Sequence, residues 1–304
     1  MNNPGWNDQK EVGNGFFLSL LTWTAFHLGR GPARVLLVFI TAYFYLTGSH
    51  ARRASHTYLR RVLKRNPRRS ESYRHFYYFA AVSLDRLFLL AGRFNAFNVD
   101  MHGEQVFAEL KQSQQGCLLF VTHVGSFDIM RVPGTREQSL PISILLDVNH
   151  NSMAMQLIQK LDPVLAGHII DARQPRPELV LKLNEVVSNG GMVGIMVDRL
   201  HDRETGIECS LLDGKVHLPA GPWQMAAILR VPVILCFGLY HGGNRYSVHF
   251  EKLEQPAGHR RSERSSVITH QLQHYCERLE YYLRCEPYNW FNFYPFWNDE
   301  TTGH

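Results

Sequence analysis

His123 and Asp128 stand five residues apart in "CLLFVTHVGSFDIMR", residues 117–131. A histidine held by an aspartate is a general base: the carboxylate fixes the imidazole tautomer and raises the basicity of the other ring nitrogen. Such a dyad can take the proton from a hydroxyl as that oxygen attacks an acyl carbon, with no Ser or Cys nucleophile between them. Residues at this spacing do not share a face of one continuous helix. If a strand ends at Thr122 and a helix begins near Ser126, the turn folds Asp128 back towards the imidazole. Gly125 would then allow close approach of substrate. Backbone N–H groups at the helix start, around Ser126, would face a developing oxyanion, with Arg131 or Arg199 as an assisting cation. The spacing alone fits a capped turn with a hydrogen-bonded histidine equally well, so the surrounding elements have to decide.

Those elements alternate. Residues 70–93 read as a helix with apolar positions at 76, 79, 80, 84, 87 and 88. A short helix at Gln105–Gln112 precedes a strand at Cys117–Val121. A strand at Ile142–Leu146, a helix at Met153–Leu161 and a short strand at His168–Ile170 follow. "RPELVLKLNEVVSNGG" is a helix with Leu179, Val180, Leu183, Val186 and Val187 on one face and a Gly190–Gly191 stop. "MVGIMV" (192–197) is a strand ending in Asp198–Arg199. A helix at Gly221–Leu229, strands at 231–240 and 246–253, and an amphipathic helix at Ser265–Arg284 complete the chain. This order predicts an α/β fold with a mostly parallel sheet flanked by helices. Sites in such sheets lie at the carboxyl ends of strands, where both His123/Asp128 and Asp198/Arg199 fall.

The first quarter differs from the rest. Through residue 69 it holds eleven Lys or Arg against two acids, although the whole chain of 304 residues carries a net charge of only +5. Two apolar runs, 16–28 and 35–47, flank "GRGPAR", and each is shorter than the ~20 residues of a spanning helix. A basic helical stretch with Arg52, Arg53, Arg60, Arg61, Lys64 and Arg65 follows. Core helices with a solvated basic face are one reading and nucleic-acid binding another, but no groove-reading or base-stacking motif appears. An apolar anchor beside a basic cluster favours an anionic membrane surface. Residues 1–69 are therefore read as a membrane-associating helical region and 70–304 as the α/β domain. The five cysteines have no CxxC spacing, and an odd number argues against a disulfide framework. No HExxH motif or His/Cys cluster predicts a metal site, and His201 and Asp202 read as surface polar groups.

"FVTHVGSFD" at the end of an apolar strand resembles the first motif of the lysophospholipid acyltransferase superfamily, whose catalytic signature is H-x4-D or H-x4-E. Within it the chain is most similar to the lipid A biosynthesis acyltransferases. The similarity runs from the apolar, Trp-bearing start and "RRAS" through "GGMVGIMVDR" and "LPAGPWQMAAILRVPVILCF" to "EPYNWFNFYPFW". It implies a glycerol-3-phosphate/lysophospholipid acyltransferase-like fold. It also implies transfer of a fatty acyl group from acyl carrier protein or CoA to a hydroxyl of a lipid acceptor, with no cofactor and no nucleic-acid partner. His123 would be the base, Asp128 its orienting carboxylate, and Asp198 with Arg199 would organise acceptor or donor. The implied location is the cytoplasmic face of a bacterial inner membrane. The chain departs from the family in having "SFD" where glutamate is common and in having Lys160 as the nearest cation after the middle strand. These departures fit a divergent branch with a different acceptor. The alternatives are a non-catalytic acyl-chain or carrier-protein-binding scaffold of the same fold and a thioester hydrolase.

Overall fold

The computed structural model describes residues 15–131, 142–149, 152–200, 205–254 and 264–297; His201 and Asp202 lie outside them. Four helices come first: α1 (Gly15–His27), α2 (Arg30–Thr47), α3 (Ser49–Leu63) and α4 (Arg69–Leu90). Then follow β1 (Asn98–His102), α5 (Gln105–Gln112), β2 (Cys117–Gly125), β3 (Ile142–Leu146), α6 (Ser152–Leu161), α7 (Pro163–Gly167) and β4 (Ile169–Asp171). The second half contributes α8 (Arg176–Ser188), β5 (Met192–Met196), β6 (Gly206–Leu211), β7 (Gly214–Pro219), α9 (Gly221–Leu229), β8 (Val233–Tyr240), β9 (Arg245–Lys252) and α10 (Arg264–Cys285).

Seven strands form one sheet in the order β1-β9-β8-β2-β5-β3-β4. All neighbouring pairs in it are parallel except β8 with β9. β6 and β7 make a separate antiparallel hairpin. The apolar run at 117–121 is unbroken because both faces of β2 are covered. Leu118 and Phe120 enter one core with residues of α8, α9 and α10, while Cys117, Leu119 and Val121 enter a second with α1, α2, α4 and α5. The predicted mixed α/β class and mostly parallel sheet are observed.

α2 belongs to that second core. Ala33, Leu37 and Ile40 are buried against α4, and Arg30 and Arg34 reach the fully buried Asp85 of α4 at 2.8 Å each. Tyr246 donates to the same carboxylate at 2.8 Å. Breaking such a buried ion cluster strands charges in low dielectric, so it fixes the position of α2 strongly. The opposite face of α2 is apolar and exposed: Val35, Val38, Phe39, Tyr43 and Leu46, at helical spacing, lie outward. Among the described residues no single helix is long and apolar enough to cross a bilayer. α2 and α3 together reach the length but bend by 94°.

Candidate active site

β2 and β5 lie side by side in parallel register, with Val121 opposite Met196. His123 and Asp198 each stand two residues beyond that pair, so the register itself sets them together. His123 Nδ1 lies 2.8 Å from Asp198 Oδ1, and the His123 backbone N–H donates to Asp198 Oδ2 at 3.0 Å. The indole Nε1–H of Trp290 donates to the same Oδ2 at 3.1 Å. Asp198 is fully buried. Burial opposes its ionisation, but the His123 imidazole, its hydrogen bonds and the Arg199 charge outweigh that and hold the carboxyl at about 2. A carboxylate only accepts, so Nδ1 carries the proton and the lone pair sits on Nε2.

Here the structure corrects the sequence reading. Asp128 was expected on the imidazole, but Asp198 holds Nδ1, and Asp128 is ion-paired with Arg86 of α4 at 3.1 Å. The physical reason is that β2 does not stop at Thr122. It runs to Gly125 with a register shift against β8, and Asp128–Arg131 then forms only a short 3-10 turn. His123 is therefore carried on the strand rather than beyond it.

Gly125 has a packing task that the sequence did not show. Its φ is +59°, and a Cβ there would lie 1.9 Å from the Gly238 carbonyl oxygen. The glycine permits the close contact between β2 and β8. The Gly125 N–H donates to the Asn289 carbonyl at 2.7 Å and the Ser126 N–H to the Gly238 carbonyl at 2.8 Å. These two amides are used within the fold and do not form an oxyanion hole. The Ser126 hydroxyl, by contrast, is buried with no hydrogen-bond partner among the described residues. Arg131 is ion-paired with Asp162, which also caps α7 through the Leu165 N–H at 2.9 Å. Arg199 donates to Asn292 Oδ1 at 3.0 Å and to the Phe291 carbonyl at 2.9 Å. It pins the aromatic C-terminal segment to the end of β5.

That segment supplies site residues that the sequence reading missed. Phe291 donates its N–H to the His123 carbonyl at 3.0 Å, and Trp290 bridges to Val124. The Trp290 carbonyl accepts from Nε2 of the fully buried His75 at 2.7 Å, and His75 Nδ1 lies 3.0 Å from Ser55 Oγ. Burial pushes His75 down to about 4, against the pull of the Trp290 carbonyl. A chain of contacts thus runs from Ser55 on α3 through His75 and Trp290 to Asp198 and His123. The aromatic run 286–297 was visible in the sequence, and the structure uses Trp290 from it as a buried support for Asp198.

A family model described as bacterial lipid A biosynthesis acyltransferase matches residues 79–299. A search of curated proteins finds no match.

Proposed function

The chain belongs to the bacterial lipid A biosynthesis acyltransferase family, and from that premise we propose that it moves a fatty acyl group from an acyl thioester to a hydroxyl of a lipid acceptor. The donor is acyl carrier protein or CoA. The observation that carries the reading is the Asp198–His123 pair, which leaves a basic Nε2 at the carboxyl end of a central strand. Nε2 takes the acceptor hydroxyl proton as that oxygen attacks the thioester carbonyl. The tetrahedral adduct then expels the thiolate, which recovers the proton from the imidazolium, so one C–O bond replaces one C–S bond. Asp198 is the orienting carboxylate and Trp290 holds it. The Ser126 hydroxyl is the proposed donor to the oxyanion, and Arg131 and Arg199 position the polypeptide around it. Asp128 acts through Arg86, holding the turn after β2 against α4.

The exposed apolar face of α2 and the arginines of α3 support placement on a membrane, for which we propose the cytoplasmic face of a bacterial inner membrane. Replacing His123 by Ala should abolish transfer from a labelled acyl thioester while the protein stays folded. Retained turnover would overturn the mechanism, and free fatty acid as sole product would make the protein a hydrolase. Comparing lipids from cells with and without the active gene by mass spectrometry would identify the acceptor.

A further inference from the structure

Where α2 ends, α3 turns away by 94°, and α4 begins alongside, the three helices enclose an open recess of about 580 Å³. Ser49, Arg52, Arg53, His56, Arg68 and Arg69 line it. Its Arg and His side chains supply donors and no carboxylate is among the lining residues, so the recess matches an anion with several acceptor oxygens. The arginines are not equivalent. Arg52 is committed to the Tyr45 and Leu46 carbonyls that end α2. Arg53, Arg68 and Arg69 are exposed, and their guanidinium groups make no ion pair among the described residues.

The recess sits at the end of an apolar stripe. Val35, Val38, Phe39, Tyr43 and Leu46 run along the outer face of α2, with Val35 63%, Phe39 68% and Leu46 72% exposed. The stripe spans about 16 Å at the helical rise. From the wall of the recess an aromatic row leads inward. Tyr45 packs on Phe76 at 5.4 Å and Phe76 on Phe293 at 4.7 Å. Phe79, exposed on α4, packs on both Phe293 and Phe291, and Phe291 is bonded to His123. A bilayer lying on the stripe would therefore meet the site segment along the same surface.

We propose that this recess receives the phosphate of an anionic phospholipid headgroup and, with the α2 stripe dipping into the acyl region, orients the protein so that the lipid acceptor reaches His123. This deepens the acyltransfer reading and rests on it for the orientation, though not for the headgroup contact. Charge complementarity alone would also suit an acidic carrier protein. The apolar stripe adjoining the recess favours lipid, because an acidic helix would leave that stripe uncovered.

The test uses the full chain, with vesicles of phosphatidylcholine alone and of phosphatidylcholine mixed with phosphatidylglycerol. The variant R53Q/R68Q/R69Q changes only exposed side chains, and K111Q/R176Q/K182Q removes as much charge from α5 and α8. At about fivefold per arginine, the recess variant should lose on the order of a hundredfold in partition onto the anionic vesicles. The α5/α8 variant should lose little, and binding to neutral vesicles should be weak throughout. Wild-type-like binding of the recess variant, or an equal loss in the control, would overturn the proposal. So would a recess variant that keeps vesicle binding but loses affinity for acyl carrier protein, which would make this a protein-docking site. Transfer measured in detergent micelles separates the two readings. The recess variant should turn over normally there, whereas an inactive wild type would sink the acyltransfer reading and leave the vesicle result standing.

Discussion

Asp198→Asn is the most informative single change, because the hydrogen-bond geometry around that carboxylate dictates how an amide must sit. Oδ2 accepts from two donors that cannot be inverted, the His123 backbone N–H at 3.0 Å and the Trp290 indole N–H at 3.1 Å. An asparagine keeps both bonds only by placing its carbonyl oxygen there. Its NH2 group then faces His123 Nδ1, which was 2.8 Å from Oδ1, and two donors cannot share that contact. The imidazole must move its proton to Nε2, the atom that is meant to act as base. In a Ser–His–Asp triad the same inversion costs about 10⁴ in kcat, so a loss on the order of 10³–10⁴ is expected here.

The variant should stay folded. Asp198 is held at about 2 against an ordinary 3.8, a difference that corresponds to about 2 kcal/mol of stability at neutral pH. Because the folded value is depressed, that contribution is complete above about pH 4 and fades as pH falls through about 2. Acyl transfer from a labelled thioester reads the rate, and ¹⁵N shifts of the His123 ring read the tautomer. Turnover within tenfold of wild type, or an unchanged ring tautomer, would show that Asp198 does not set the His123 tautomer. A matched loss in Asp128→Asn with an intact His123 tautomer would return the orienting role to Asp128.

Three further outcomes follow from the packing around this site. His75 is pushed down to about 4, below the ordinary 6.5, so the unfolded chain binds more protons between those values. Stability should fall by about 2 kcal/mol from neutral to pH 5 on this account, and urea unfolding of His75→Gln should show that much less pH dependence. Gly125→Ala combines a positive φ with a Cβ 1.9 Å from the Gly238 carbonyl, so a loss of more than about 3 kcal/mol is expected in denaturant midpoints. Asp85→Asn leaves Arg30 and Arg34 short of their buried counter-charge and should cost about 3–5 kcal/mol, visible as a lowered Tm.

The strands and helices of the α/β region were legible because their apolar runs are bounded by clear breakers: β3 and α5, for example, fall where the pattern put them. The hairpin β6–β7 was missed. Its two-residue turn, Leu212 and Asp213, has positive φ at both positions, 50° and 59°. The sequence does carry Asp213-Gly214 there, but the turn falls one residue earlier than that pair suggests, with Leu212 at its first position. At the site, His123 was legible as a polar residue closing a buried run. Asp198 was legible as a group on the same sheet edge but not as the partner of the imidazole, since strand order brings together residues 75 apart in sequence and a single sequence carries no register. Trp290 and His75 were hidden for the same reason. The contact between them spans 215 positions, and neither residue alone signals it.

α4 joins the N-terminal helices to the site. Its Asp85 grips α2 through Arg30 and Arg34, its His75 supports Trp290 behind Asp198, and its Arg86 holds Asp128 beside the turn after β2. A helix that carries three buried or half-buried polar anchors on different faces is expensive to displace, because each anchor would strand a charge or donor away from water. The outward apolar face of α2 is therefore fixed in direction relative to His123. That rigidity gives the H-x4-D spacing a physical meaning that differs from a dyad. The histidine is placed by the strand, and the aspartate ties the end of that strand to the helix that sets where the exposed face points.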